Sequence, residues 1–165
     1  MQIKRIFSHL LYSRRRLRHA FPPECLTRIE ACIREAEAGH SGEIRFAVEA
    51  ALEGAPLWRN QSARDRAIDV FSQLRVWDTE HNNGILIYLL MADHDVEIVA
   101  DRGVNARVAQ DEWEKICREM ESHFRSGSFE AGLRAGIRAV AGHLRRHYPK
   151  SPGHTNEIAD RPVIL

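Results

Sequence analysis

The run Ile85-Leu86-Ile87-Tyr88-Leu89-Leu90-Met91 constrains this chain more than any other stretch. It has no polar face, so a strand built from it must be covered on both sides, deep in a sheet. It is long enough for a strand and far too short for a membrane span, which takes about 20 apolar residues. A polar break follows, Ala92-Asp93-His94-Asp95. Then Val96-Glu97-Ile98-Val99-Ala100-Asp101 forms a second β-rich run, closed by Arg102-Gly103. Two β-rich runs around a short polar turn predict a hairpin.

The neighbouring segments supply the layers around it. In Glu43–Leu52 the apolar Ile44, Phe46, Val48 and Ala50 alternate with Glu43, Arg45 and Glu49, which predicts a half-buried strand nearer an edge. Ser62 is placed to cap a helix over Ala63–Trp77, with Ala67, Ile68, Phe71, Leu74 and Trp77 at helical spacing. Strand, helix, strand in this order implies a crossover with the strands at 43–52 and 85–91 parallel. The run at 96–101 then returns antiparallel. Upstream, a helix from Pro23 to about Ala38 is closed by Gly39. Downstream, Gln110–Phe124 and Phe129–His147 read as helices separated by Arg125-Ser126-Gly127. Gly132 and Gly136 inside the last helix cost about 1 kcal/mol each against alanine, which points to close packing there. The expected class is α/β, a three-layer α/β/α sandwich with a small mixed sheet combining a parallel crossover and an antiparallel hairpin.

Composition narrows the function classes. A chain of 165 residues is one ordinary domain, and its net charge of +1 argues against a dedicated nucleic-acid binder. The charge is uneven: Lys4, Arg5, Arg14, Arg15, Arg16 and Arg18 meet no carboxylate in the first twenty residues. Residues 2–20 read as one amphipathic helix. Its apolar face is expected to dock on the domain, with the basic face solvated or resting against anionic lipid or an acidic partner. Cys25, Cys32 and Cys117 have no metal-type spacing and suit core packing in a reducing compartment. Neither a leader nor a membrane span is legible, so the expectation is a cytoplasmic protein, peripheral to a membrane if residues 1–20 contact one. The expected organisation is a basic N-terminal helix at 1–21, the domain at 22–149, and a flexible tail at 150–165 whose apolar Val163-Ile164-Leu165 can dock on its own domain or on a partner.

Three spaced motifs carry a family likeness. They are His81-Asn82-Asn83-Gly84-Ile85-Leu86-Ile87-Tyr88-Leu89, then Asp93 to Val99, then Phe124-Arg125-Ser126-Gly127-Ser128-Phe129-Glu130-Ala131-Gly132-Leu133. Together they resemble the TPM domain, also called the thylakoid-lumen phosphatase-like family, across roughly residues 25–148. Ser41-Gly42-Glu43-Ile44 is similar to that family's first strand entry. The resemblance implies an α/β/α sandwich, acid-phosphatase activity and binding of Ca²⁺ or Mg²⁺. It also implies an accessory or scaffold role, since other relatives serve membrane complexes. The chain reads as a bacterial member that departs from many relatives in showing no signal peptide or membrane anchor, hence the cytoplasmic expectation. Where many relatives carry Gly-Tyr-Gly after the hairpin, this chain has Asp101-Arg102-Gly103.

Topology places a candidate site. The starts of strands 43–52 and 84–91 and the end of strand 96–101 share one edge of the sheet. That edge gathers His40, Glu43, Asp78, Glu80, Asn82, Asn83, Asp101 and Arg102. Glu43, Asp78, Asn82, Asn83 and Asp101 are candidate oxygen ligands for Ca²⁺ or Mg²⁺. Asp101 and Arg102 are the catalytic candidates, with Arg102 able to fix a phosphate oxygen. The structural reading of the same residues is turns, caps and an Asp101–Arg102 ion pair. On the opposite edge Asp93, His94 and Asp95 read as a simple turn. No nucleophile elbow, P-loop or HExxH motif is present. The leading functional expectation is a protein-interaction or accessory module with an unidentified protein partner; the alternative is a divalent-cation-dependent, acid-phosphatase-like hydrolase.

Overall fold

The computed structural model describes residues 2–165. At its centre is a four-stranded sheet in which β1 (Glu43–Glu49), β2 (Gly84–Leu90), β3 (Asp95–Ala100) and β4 (Val163–Ile164) lie in the order β3-β2-β1-β4. β1 and β2 run parallel, in register from Glu43 opposite Gly84 to Glu49 opposite Leu90. β2 and β3 are antiparallel, from Ile85 opposite Ala100 to Leu90 opposite Asp95. Every residue of β2 is buried, as the uninterrupted apolar run requires. Its side chains alternate between two cores. Ile85, Ile87 and Leu89 join the larger one with α3 (Pro23–Glu37), α7 (Gln110–Arg125) and α8 (Phe129–His147). Leu86, Tyr88 and Leu90 join the smaller one with α5 (Ala63–Gln73). The expected mixed sheet with helices on both faces is what forms.

Tyr88 is the polar exception on this strand. Its hydroxyl donates to Glu49 Oε2 at 2.7 Å, and Arg66 forks onto the same carboxylate at 2.8 and 3.1 Å. A buried phenol is thereby satisfied on a face otherwise apolar. The glycines of α8 are explained by its neighbour. A Cβ at Gly132 would sit 2.6 Å from that of His123, and one at Gly136 would run into the Met120 sulfur. The three cysteines are free and buried; burial pushes Cys25 up to about 11 and Cys117 up to about 12, so they serve as packing groups.

Several expectations need correction. β1 is interior, not half-buried near an edge, because β4 pairs with it in parallel through Ala47–Val163 and Val48–Ile164. Residues 55–58, for which the sequence pattern predicts no element, form the short helix α4 (Ala55–Trp58). α5 stops at Gln73, before Trp77, because Arg75 takes φ +53° and the Val76 amide turns back to Phe71 O at 3.0 Å. That turn buries Val76 and leaves Ile68 and Trp77 exposed. Gly84 is needed here, since any Cβ would strike the Val76 carbonyl. Ser62 caps α5 by accepting from the Asp65 amide at 3.0 Å, as expected. Ser128 precedes α8 without capping it and instead accepts from Ser126 Oγ at 3.2 Å.

The N-terminal segment is two helices, α1 (Gln2–Leu11) and α2 (Arg14–Ala20), not one. Ser13 is extended, with φ −91° and ψ 150°, which breaks the helix between them. The face of α1 that meets the domain is also the reverse of the expected one. Arg5, Ser8 and His9 point inward, while Ile3, Phe7, Leu10 and Leu11 are 70, 59, 68 and 72% exposed.

Candidate functional site

The edge gathered from topology is tied together by short polar contacts. Asp101 caps α6 (Arg102–Asn105), its Oδ1 accepting from the Arg102 amide at 2.7 Å. The Arg102 side chain turns to Asn82, donating from Nε to Oδ1 at 3.0 Å, so Asp101 and Arg102 do not form the ion pair considered from sequence. The Gly103 amide donates to Asn82 O at 3.1 Å. A Cβ at Gly103 would come within 2.6 Å of that carbonyl, so only glycine allows the approach. Asn83 is fully buried, its amide nitrogen donating to Ser41 O at 2.5 Å. Asn82, Asn83, Asp101 and Arg102 are thus laced to the loop that enters β1.

The other predicted ligands are engaged elsewhere. Glu43 is buried and accepts from the Glu157 and Ile158 amides at 3.2 Å each, with His154 Nε2 3.3 Å away. Asp78 is exposed and paired with Arg75 at 2.5 Å. Glu80 is exposed, and its amide donates to Glu157. The five residues drawn from the sequence therefore do not make a preformed cage. A Ca²⁺ ion takes about six to eight oxygens; among the described residues no three His, Cys, Asp or Glu side chains converge to hold a metal ion.

Three acceptor atoms at this edge are nevertheless buried without a partner: Asp101 Oδ2, Asn83 Oδ1 and His40 Nε2. His40 Nδ1 lies 2.9 Å from Gly42 O, so it carries the proton and Nε2 presents a bare lone pair. Burial holds His40 down to about 4, keeping the ring neutral. Orphaned buried acceptors cost about 1–3 kcal/mol each, and functional sites are among the places where they persist.

The opposite edge holds what the sequence reading missed. Asp93, taken for part of a turn, accepts from Arg5 Nε at 3.0 Å and Nη2 at 2.7 Å, and from His9 at 2.9 Å. His9 is 3% exposed, and its Nδ1 accepts from the Leu52 amide at 2.9 Å. That bond fixes the tautomer: Nε2 carries the proton and donates to Asp93. Burial works against ionisation of Asp93, but the bonds from Arg5 and His9 outweigh it and hold the carboxyl below its usual range. Arg5 also reaches Asn60 Oδ1 at 3.0 Å and Gln61 O at 2.8 Å. A cationic and polar helix face is thereby locked onto the hairpin turn, and the apolar face is left outside.

The strand entry at Asn82–Gly84, the hairpin and the turn between α7 and α8 fall within residues 17–143, which match the TPM domain family. The chain belongs to the TPM domain family. The BA42 protein of the psychrophilic bacterium Bizionia argentinensis, solved by NMR, is 31% identical. It superimposes with a TM-score of 0.75 over 86% of this chain and 93% of its own. The N-terminal domain of a P. gingivalis protein, 23% identical, shares the fold at a TM-score of 0.55 over 73% of this chain and 76% of that one. No curated protein matches the sequence. The match begins beyond α1, so the helix locked by Asp93 lies outside the part of this TPM domain that defines the family. The sequence offers one stripe at helical spacing, Ile3, Ile6, Phe7, Leu10, Leu11 and Leu17, of which only Ile6 and Leu17 pack inward; the inward-facing Arg5, Ser8 and His9 stand at spacings of three and four. Nothing in periodicity says which face docks.

Proposed function

We propose that this TPM domain acts as an accessory module at an anionic membrane surface, with α1 as its contact element. The inverted docking of α1 carries the reading. Four large apolar side chains on one helix face are left exposed, and α4, packed beside α1, adds Trp58 at 72% exposure. Lys4 on α1 and Arg14, Arg15, Arg16 and Arg18 on the adjoining α2 are exposed, and no carboxylate occurs before Glu24. An apolar face with a basic border is the composition of an interfacial helix. Each Lys or Arg near an anionic leaflet contributes about 1 kcal/mol. The apolar tail offers no competing surface of this size, because Val163 and Leu165 pack on the smaller core. No helix among the described residues is long and apolar enough to cross a membrane, which leaves surface contact as the mode considered.

The test is co-sedimentation of the full chain with phosphatidylcholine vesicles, with and without phosphatidylglycerol. Binding to the anionic vesicles only, weakened by salt and abolished by Phe7→Asp with Leu10→Asp, is the expected result. Absence of binding, or binding indifferent to the double variant, removes α1 as the contact. The hydrolase alternative predicts something different: turnover of a phosphate monoester that Asp101→Asn abolishes while vesicle binding is unchanged.

A further inference from the structure

The groove between α2, the start of α3 and the turn joining α7 to α8 is used by none of the chemistry above. It is open to solvent, with a volume of about 1230 Å³. Five guanidinium groups line it: Arg15 and Arg16 from α2, Arg28 from α3, and Arg134 and Arg138 from α8. One carboxylate, Glu130, faces them. Arg28 forks onto Glu130 at 2.8 Å through both nitrogens, and Arg134 stands 3.7 Å from it. A single carboxylate cannot neutralise five arginines, and the chain as a whole carries only +1, so the positive charge is gathered locally.

The backbone adds to the same field. α3 and α8 both begin at this groove, with Pro22 and Gly127, Ser128 and Phe129 among its walls. The first amides of a helix have no intrahelical acceptor, and its N-terminus carries positive partial charge. Phe129 supplies an apolar wall, held in place by Phe124 at 5.3 Å and Phe21 at 5.6 Å between ring centroids. Gly127 takes φ +77°, which lets the chain leave α7 and start α8 toward the groove. The third motif noted in the sequence is therefore the segment that builds one wall of this groove.

We infer that this groove binds an organic anion bearing two or more phosphate groups. Several planar guanidiniums match phosphate oxygens bidentately, and two helix starts suit the same charge. The volume accommodates a ligand of nucleotide size or the headgroup of a phosphorylated lipid. The charge is confined to one concave site, which fits a small anion better than a nucleic-acid strand. Arg15 and Arg16 belong to both surfaces, but the inference is separable from the membrane reading through Arg28, Arg134 and Arg138, which that reading does not use.

The experiment is an amide-shift titration of the full chain with pyrophosphate and with ATP. Saturable shifts at Gly127–Ala131 and along the first turns of α8 are expected. Arg134→Gln with Arg138→Gln should weaken binding by about tenfold or more, since charge-assisted bonds are lost. Glu130→Gln should tighten it, by removing the competing carboxylate and freeing Arg28. No saturable shift, or shifts indifferent to both variants with the fold intact by the same spectra, overturns the site. Vesicles of phosphatidylcholine doped with a phosphoinositide identify the source, tested in the Phe7→Asp, Leu10→Asp background. Binding there that needs Arg134 and Arg138 assigns the groove to a lipid headgroup. Binding of pyrophosphate or ATP without vesicle binding assigns it to a soluble ligand.

Discussion

The two ends of this chain both return to the sheet, and they are held by different means. At the N-terminal end α1 is fixed by side chains: Arg5 and His9 on Asp93, with His9 also closing the Leu52 amide. At the C-terminal end backbone strand pairing is added to side-chain contacts such as Arg34 on Asp160 and His154 on Glu43. β4 pairs with β1, Leu165 donates to Val48 O at 3.0 Å, and the Glu157 and Ile158 amides sit on Glu43. Apolar surface follows the same division. The tail packs Ile158, Val163 and Leu165 on the smaller core, whereas α1 places only Ile6 there and turns Ile3, Phe7, Leu10 and Leu11 outward. A segment anchored by backbone pairing becomes part of the fold; one anchored by a few polar side chains keeps its apolar face for something else.

The sharpest way to break this comparison is Asp93→Ala. It strands His9 and Arg5 against the hairpin turn, and we expect a loss of about 2–3 kcal/mol in the docking of α1, somewhat less than for a fully buried pair. The carboxylate and guanidinium retain 17 and 20% side-chain exposure, which is why the lower figure applies. Hydrogen exchange at Leu52 reports it directly, since that amide donates to His9; unchanged protection would show that apolar contacts, such as Ile6 on the smaller core, hold the helix instead. Removing residues 163–165 should cost about 1–2 kcal/mol, because the apolar surface they cover is only partly buried. Chemical denaturation measures it, and α1 should keep its protection in that variant.

The smaller effect is a contrast in pH. Asp93 is held below its usual range, so the stability it contributes is present above the ordinary carboxylate value and is lost as pH falls through its native value. Acid should therefore release α1 first. Near the tail, Glu37 accepts from the Ile44 amide at 2.7 Å, and the Asp160 carboxyl lies close enough to act on its charge. Burial, aided by the charges of Glu43 and Asp160, raises Glu37 to about 9. A raised carboxyl binds its proton more tightly in the native state. Its contribution is full below the unfolded value and is lost as pH rises toward and through 9. Alkali should loosen the tail, and Glu37→Gln should flatten the decline between about pH 7 and 9. Limited proteolysis of the tail across that range checks the sign; an equal decline in both proteins would place the titrating group elsewhere.

The sheet and its two hairpin strands were legible because β2 is apolar at every position, a pattern only a doubly covered strand satisfies. Close packing of α8 was legible from Gly132 and Gly136, but the glycines alone do not say whether the sheet or α7 lies against them; it is α7. The interior position of β1 was not, because β4 is two residues long and its pairing is set by tertiary contact, not by a pattern of its own. The end of α5 at Gln73 depends on a positive φ at Arg75, an arginine that gives no turn signal. At the candidate edge, topology collected Asn82, Asn83, Asp101 and Arg102 correctly. It could not show that Glu43 is taken by the tail, since that contact joins residues 114 and 115 apart in sequence. Asp93 was overlooked for a similar reason: its partners lie 84 and 88 residues away.

The pairing of β4 with β1 has a consequence for how copies of this chain meet one another. The bonds that seat it are mostly backbone bonds, and the segment from Lys150 to Arg161 that leads to it contains no helix or strand. Nothing in those bonds distinguishes the chain's own Val163-Ile164 from the same segment of a neighbour. When the tail lifts, β1 presents an unpaired edge beside an intact core, and a neighbour's tail completes it as well as its own. Alkali, by ionising Glu37, should raise the fraction of molecules in which that edge stands open.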